Sequence, residues 1–218
     1  MLFNLLPPLA DDFIVFNLFR YLTFRSGGAV VTALVISFLV GPHIIRWLKR
    51  KQGEGQPIRT DGPESHLISK AGTPTMGGFL ILLALCTSTL LWADLTNGFV
   101  WAVLYITVGF GTIGFADDIL KLTRRNSRGL PSRFKLLAQF VIGTVAVIWL
   151  VQLSPPGIQT HLAIPFLKNV MLNLGWFFFV VFAVLVLVGS SNAVNLTDGL
   201  DGLAIGSTLI AAATYAIF

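Results

Sequence analysis

The stretch FFFVVFAVLVLVGSSNAVNLTDGLDGLAIGSTLIAAATYAIF, residues 177–218, sets two long apolar runs around one polar interval. That interval, NAVNLTDGLDGLA (192–204), holds Asn192, Asn195, Asp198 and Asp201 together with Gly199 and Gly202. A carboxylate at the centre of a bilayer helix costs about 2.5–3.5 kcal/mol on insertion scales. The interval therefore lies at a membrane edge, or its carboxylates have a task that offsets the cost. The apolar runs on either side decide the fold: each is long enough to cross a bilayer.

The rest of the chain repeats that pattern. Of 218 residues, 55% are hydrophobic and 11% charged, and the mean hydropathy is +0.80. Soluble domains carry about 25% charged residues, so this composition indicates a membrane protein. A single cysteine, Cys86, excludes an intrachain disulfide. His43, His66 and His161 are scattered, without the ligand spacing of a zinc site. The N-terminus has no basic n-region and carries Asp11 and Asp12, so it does not read as a cleaved signal peptide.

A span needs about 20 mostly apolar residues. Six stretches meet that length: 28–48, 74–93, 98–118, 134–153, 171–190 and 200–218. The expected fold class is all-α, a polytopic helical bundle forming one integral membrane domain. The first 25 residues are apolar but broken by Pro7, Pro8, Asp11, Asp12 and Arg20, which predicts a helix lying in the interface. Twelve of the fifteen basic residues fall in 46–72 and 119–135, whereas the loops at 94–97 and 154–170 hold only Lys168. By the positive-inside rule the N-terminus faces out and loops one, three and five face the cytoplasm. The net charge of +5 is then a topology signal and does not point to nucleic acid. Seven of the ten acidic residues fall on the cytoplasmic side.

Three segments could carry chemistry. Asn192, Asn195, Asp198 and Asp201 recur every third residue, which in near-helical geometry makes a polar stripe. The structural alternative is capping, with Asp198 as N-cap of the last span and Asp201 at its third position. In GFADDILK (114–121), the adjacent Asp117 and Asp118 differ by about 100° around a helix, so by default they do not meet at one atom. One could hold a metal or act as a base while the other braces a cation. The alternative is a solvated helix end pairing with Lys121, Arg124 or Arg125, but an acidic pair at a helix C-terminus opposes the dipole. In SKAGTPTMGG (69–78), Thr73 and Pro74 read as N-cap and N1 of the second span, and Gly77 and Gly78 as points of close helix approach. Lys70, just ahead of that helix, suits an anion. The GFGTIG string (109–114) lies inside a span and reads as helix packing, not as a dinucleotide loop. No G-x-x-x-x-G-K-[ST] is present.

RTDGPESH (59–66), SKAGTPTMGG, GFADDILK and NAVNLTDGLDGLA, with YLTFR (21–25), resemble the phospho-N-acetylmuramoyl-pentapeptide transferase (translocase I) family along the whole chain. The resemblance implies transfer of phospho-MurNAc-pentapeptide from UDP-MurNAc-pentapeptide to undecaprenyl phosphate, giving lipid I and UMP, with Mg²⁺ as cofactor. It implies Asp117 and Asp118 as catalytic residues, with Asp118 at the metal. Lys70, Thr75, Asn192, Asn195, Asp198 and Asp201 would then bind substrate. The resemblance also implies the two substrates and membrane lipids as partners in a bacterial inner membrane, with a homodimer as a further candidate. Family chains continue past this one with a third aspartate and a histidine-rich motif, so residues 1–218 alone are expected to be an inactive N-terminal part. The competing readings are a GlcNAc-1-phosphate transferase of the same superfamily, a membrane transporter and a non-catalytic scaffold.

Overall fold

A computed structural model describes residues 1–53, 74–124, 129–164, 166, 167, 170–198 and 202–217. Lys70, Thr73 and Asp201 lie outside the described residues, as do the RTDGPESH motif, Arg125 and Lys168. The chain is an all-α membrane protein. Among the described residues, four helices are long and apolar enough to cross a bilayer: α2 (Leu22–Gln52), α4 (Gly98–Arg124), α5 (Ser132–Leu153) and α6 (Gly175–Thr197). Two shorter apolar helices, α3 (Gly78–Trp92) and α7 (Leu203–Ile217), have 15 residues each. At 1.5 Å per residue α3 runs about 22 Å, short of the roughly 30 Å hydrocarbon core.

The residues fall into two compact units, Met1–Lys135 and Leu136–Phe218. In the first, α2 and α3 run antiparallel through small residues. A Cβ on Gly28 would run into the Trp92 ring, and one on Gly41 would lie 3.1 Å from Leu80 Cδ2. The paired positions climb α2 as they descend α3. Trp92 is locked in place: its Nε1 donates to Thr32 Oγ1 at 2.9 Å, and its ring stacks on Phe19 at 5.5 Å. Gly111, within the GFGTIG string, faces Leu82 across the α3–α4 contact, as packing requires. Helix α2 ends in Lys49, Arg50 and Lys51, cations that suit its C-terminal dipole, and Gly53 closes it at φ +58°.

Where one interfacial helix was expected at the N-terminus, the structure has three short pieces. These are α1 (Leu2–Leu5) and 3₁₀ turns at Pro7–Asp11 and Ile14–Arg20. Prolines remove donors inside the run and so break it. Asn4 bridges this segment to the α3–α4 loop, donating to Asp94 Oδ1 at 3.2 Å and accepting from Leu95 N at 3.3 Å. Arg25 of the YLTFR motif stands 4.1 Å over the Phe3 ring.

The start of α3 also differs from expectation. The helix begins at Gly78, four residues beyond Pro74, because Met76 takes φ +74° and interrupts any earlier turn. A methyl added to Gly77 or Gly78 would meet nothing within 4 Å among the described residues, so neither is a point of close helix approach there.

In the second unit α5 and α6 pack antiparallel around Val147, Val151, Val180, Val184 and Val188. Gly143 lets Leu187 come within 3.2 Å of its Cβ position. The connection carries an unanticipated hairpin, β1 (His161–Ala163) with β2 (Met171–Asn173), in which Leu162 pairs with Leu172.

Candidate functional site

Within the first unit, Asp117, Asp118 and Thr75 come together. Helix α4 runs on to Arg124, so the aspartates sit nearly two turns from its end. The dipole acts mainly in the last turn. Lys121 and Arg124 occupy that turn, so the expected dipole penalty on the acidic pair largely disappears.

The two carboxylates do meet at one atom. Lys121 Nζ lies 2.5 Å from Asp117 Oδ2 and 3.3 Å from Asp118 Oδ1. Lys121 reaches both because i+3 and i+4 positions flank one another on a helix and its four-carbon arm is long. The aspartates are otherwise unlike. Asp117, 16% exposed, has its other oxygen taken by the Leu130 backbone N–H at 2.7 Å. Asp118, 27% exposed, accepts from Thr75 Oγ1 at 3.0 Å. Gly129 makes the Asp117 contact feasible: its φ is +56°, and a Cβ there would collide with Asp117 Oδ1.

Thr75 is held in turn by Gln52 at the end of α2. Thr75 N donates to Gln52 Oε1 at 2.9 Å, and Gln52 Nε2 donates to Thr75 O at 3.1 Å. The amide satisfies both backbone groups of one residue, as a neighbouring strand would. Sequence reasoning missed Gln52 as a site member and offered Lys121 only as the partner of a solvated helix end, a pairing the structure shows. Lys121 was legible from its i+3/i+4 spacing. Gln52 was not, because its contact spans 23 residues.

In the second unit the 192–198 polar residues divide. At 100° per residue a three-residue repeat drifts about 60° per step, so no single stripe forms. Asn192 is half-buried and donates Nδ2 to Gln139 Oε1 and Val188 O, both at 2.8 Å. Gln139 is itself 3% exposed. Asn195 and Asp198 are exposed, and neither side chain has a partner among the described residues. Asp198 is not an N-cap. It closes the C-terminus of α6, and Gly202, at φ +86°, directly precedes α7.

A family model for glycosyl transferase family 4 matches residues 100–218, more than half of the chain, from α4 through α7. The chain belongs to glycosyl transferase family 4. A second model, phospho-N-acetylmuramoyl-pentapeptide-transferase signature 1, matches residues 70–82. Within this family 4 chain, the signature therefore includes Thr75, the residue bonded to Asp118. The chain is 62% identical to the phospho-N-acetylmuramoyl-pentapeptide-transferase of Granulibacter bethesdensis over 217 residues. It is 56% identical to the proteins of that name from Maricaulis maris and Gluconobacter oxydans. Each match covers 100% of this chain and 60% of the relative.

The donor chemistry of the family 4 cluster suits a magnesium ion. Two carboxylates and a hydroxyl are hard oxygen ligands, and Mg²⁺ commonly takes one or two carboxylates, with water and phosphate oxygens completing its shell. The Lys121 ammonium already marks the point between the carboxylates as a place for positive charge. Among the described residues no group of three His, Cys, Asp or Glu side chains gathers, so the remaining ligands would come from substrate and water.

Proposed function

We propose that the protein acts as a phospho-N-acetylmuramoyl-pentapeptide transferase at the cytoplasmic face of a bacterial inner membrane, with its N-terminus outside. A phosphate oxygen of undecaprenyl phosphate attacks the sugar-bearing phosphorus of UDP-MurNAc-pentapeptide. The bond from that phosphorus to the UMP oxygen breaks, UMP leaves with the electron pair, and lipid I remains. One phosphoanhydride replaces another, so no nucleotide hydrolysis is required.

Asp118 would hold Mg²⁺, since it is the more exposed carboxylate. When bound, that ion neutralises charge on the diphosphate. Asp117, the more covered carboxylate and the one held by the shorter contacts, braces the cluster from behind. Lys121 keeps two adjacent carboxylates from repelling and presents positive charge toward phosphate. Thr75 fixes the rotamer of Asp118. Lys70, Asn195, Asp198 and Asp201 bind the nucleotide sugar in this reading, with Asn192 supporting them from its contact with Gln139.

One observation carries the proposal: the hydrogen bond from Thr75, inside the signature segment, to Asp118 of the aspartate pair. The test is lipid I synthesis by the purified full-length protein in nanodiscs, with undecaprenyl phosphate and either UDP-MurNAc-pentapeptide or UDP-GlcNAc. Turnover with the first, abolished by Asp118→Asn, is expected. Turnover with UDP-GlcNAc alone assigns the sister activity and refutes the proposal, as does an Asp118→Asn protein of unchanged rate.

A further inference from the structure

We propose that Gln52 is a positioning residue for the transfer reaction, acting through Thr75 on Asp118. The inference rests on the reading of the aspartate cluster given under Proposed function. It adds to that reading a residue from a different helix, outside both matched segments.

Thr75 has no regular secondary structure to fix it. It precedes α3 by three residues and is followed by Met76 at φ +74°, a conformation unfavourable for a side chain of that size. Nothing in such a segment dictates where a threonine hydroxyl points. The Gln52 carboxamide supplies the missing constraint. With one bond to Thr75 N and one to Thr75 O, 2.9 and 3.1 Å long, it fixes both position and rotation of that residue's backbone. The hydroxyl then falls 3.0 Å from Asp118 Oδ2.

Gln52 itself is well anchored. It is the last residue of a 31-residue helix, where Gly53 N closes the turn onto Lys49 O at 3.1 Å. A helix end thus holds a loop threonine, and the threonine orients a carboxylate. Glutamine is the one common side chain at that length offering a donor and an acceptor side by side. Glutamate would turn an oxygen toward Thr75 O, and leucine would offer neither group. Gln52 touches neither aspartate, so its effect on the reaction has to travel through the hydroxyl.

That dependence is testable by a double-mutant cycle on lipid I formation by the whole protein in nanodiscs. Gln52→Leu is expected to lower kcat about tenfold with little change in KM for the nucleotide sugar. Thr75→Val is expected to lower kcat at least as much. In Thr75→Val, adding Gln52→Leu should cost nothing further. In Thr75→Ser, which keeps the hydroxyl, Gln52→Leu should again cost about tenfold. Gln52→Glu, the same length without the donor, should behave as Gln52→Leu does, which covers the case in which leucine perturbs folding.

Equal losses from Gln52→Leu in the Thr75→Val and Thr75→Ser backgrounds would show that Gln52 acts independently of the hydroxyl and overturn the proposal. So would a Gln52→Glu protein with wild-type kcat, or a loss confined to KM. If instead the unmutated protein turns over UDP-GlcNAc alone, the assigned substrate fails. The same cycle run on that activity still decides the role of Gln52.

Discussion

Replacing Gly129 by alanine probes the contact that braces Asp117. At φ +56° an L-residue pays about 1–2 kcal/mol for its backbone conformation alone. The new methyl would also collide with Asp117 Oδ1 and lie 2.9 Å from Lys121 Cε. Asp117 cannot simply retreat, because Lys121 and the Leu130 N–H both hold it. Moving it away breaks the 2.7 Å bond from Leu130 N, a bond to a charged acceptor worth about 1.5–3 kcal/mol. By the tenfold-per-1.4 kcal/mol relation, the Leu130 amide should exchange hydrogen about ten- to a hundredfold faster. Hydrogen-exchange mass spectrometry on the protein in nanodiscs reads this directly. Gly53→Ala is the matched control: its φ is +58°, yet nothing among the described residues lies within 4 Å of the new methyl. It carries the backbone strain without the clash and should leave Leu130 exchange unchanged. If Gly129→Ala also leaves Leu130 exchange unchanged, the methyl does not displace the carboxylate and the bracing role of Asp117 is wrong.

The other perturbations separate packing from chemistry. Gly28→Ala drives a methyl into the Trp92 ring, 2.6 Å from its Cζ2, and overpacking of that kind costs about 1–3 kcal/mol; a lower melting temperature with shifted tryptophan emission is expected, and unchanged emission would count against the contact. Gln139→Leu strands the Asn192 amide beside a buried position and should destabilise by about 1–3 kcal/mol in chemical denaturation, whereas Gln139→Leu combined with Asn192→Leu should recover part of that loss. Asp117→Asn places an amide donor against the Lys121 ammonium and should speed Leu130 exchange, while Asp118→Asn should abolish turnover and leave that exchange unchanged. Thr96, whose hydroxyl and amide both donate to Asp94, holds that carboxyl below its ordinary value. A depressed carboxylate stabilises the fold above its unfolded pKa and loses that contribution as pH falls through the folded value. Protection of the Thr96 amide should therefore hold at neutral pH and fall away only below about pH 3.8.

Much of this was legible in sequence. Helices α2, α4, α5 and α6 follow apolar runs whose length alone implies a span. The DD pair was legible as chemistry because adjacent carboxylates near a helix C-terminus need a reason to be there, and the signature segment because a lysine stands just ahead of a helix. What escaped notice depended on contacts between distant residues. Thr73 and Pro74 look like a helix start, but the backbone of Thr75 is bound to Gln52 instead of joining a helix. The hairpin has three-residue strands, too short for an alternation pattern to register, and its pairing of Leu162 with Leu172 has no local signal. The asparagine–aspartate repeat suggested one face. Its period of three is far enough from 3.6 to send Asn192 inward and leave Asp198 outside.

The same reasoning explains why two adjacent, identical residues take different parts. In the string FADDI nothing distinguishes Asp117 from Asp118. One step along a helix turns a side chain by about 100°, so each meets a different element. Asp117 turns toward the 129–130 segment, where a glycine leaves room for a carboxylate and a backbone N–H satisfies it. Asp118 turns toward Thr75, which offers a single hydroxyl and leaves more of the carboxylate exposed. A carboxylate held by two short contacts and largely covered is well placed to hold its neighbours still. A carboxylate held by longer contacts and more exposed is the better ligand for something that arrives. Lys121 joins the pair, so that positive charge stands between the oxygens before any substrate binds. In the proposed transfer reaction an incoming diphosphate would therefore meet a cluster whose own repulsion is already balanced.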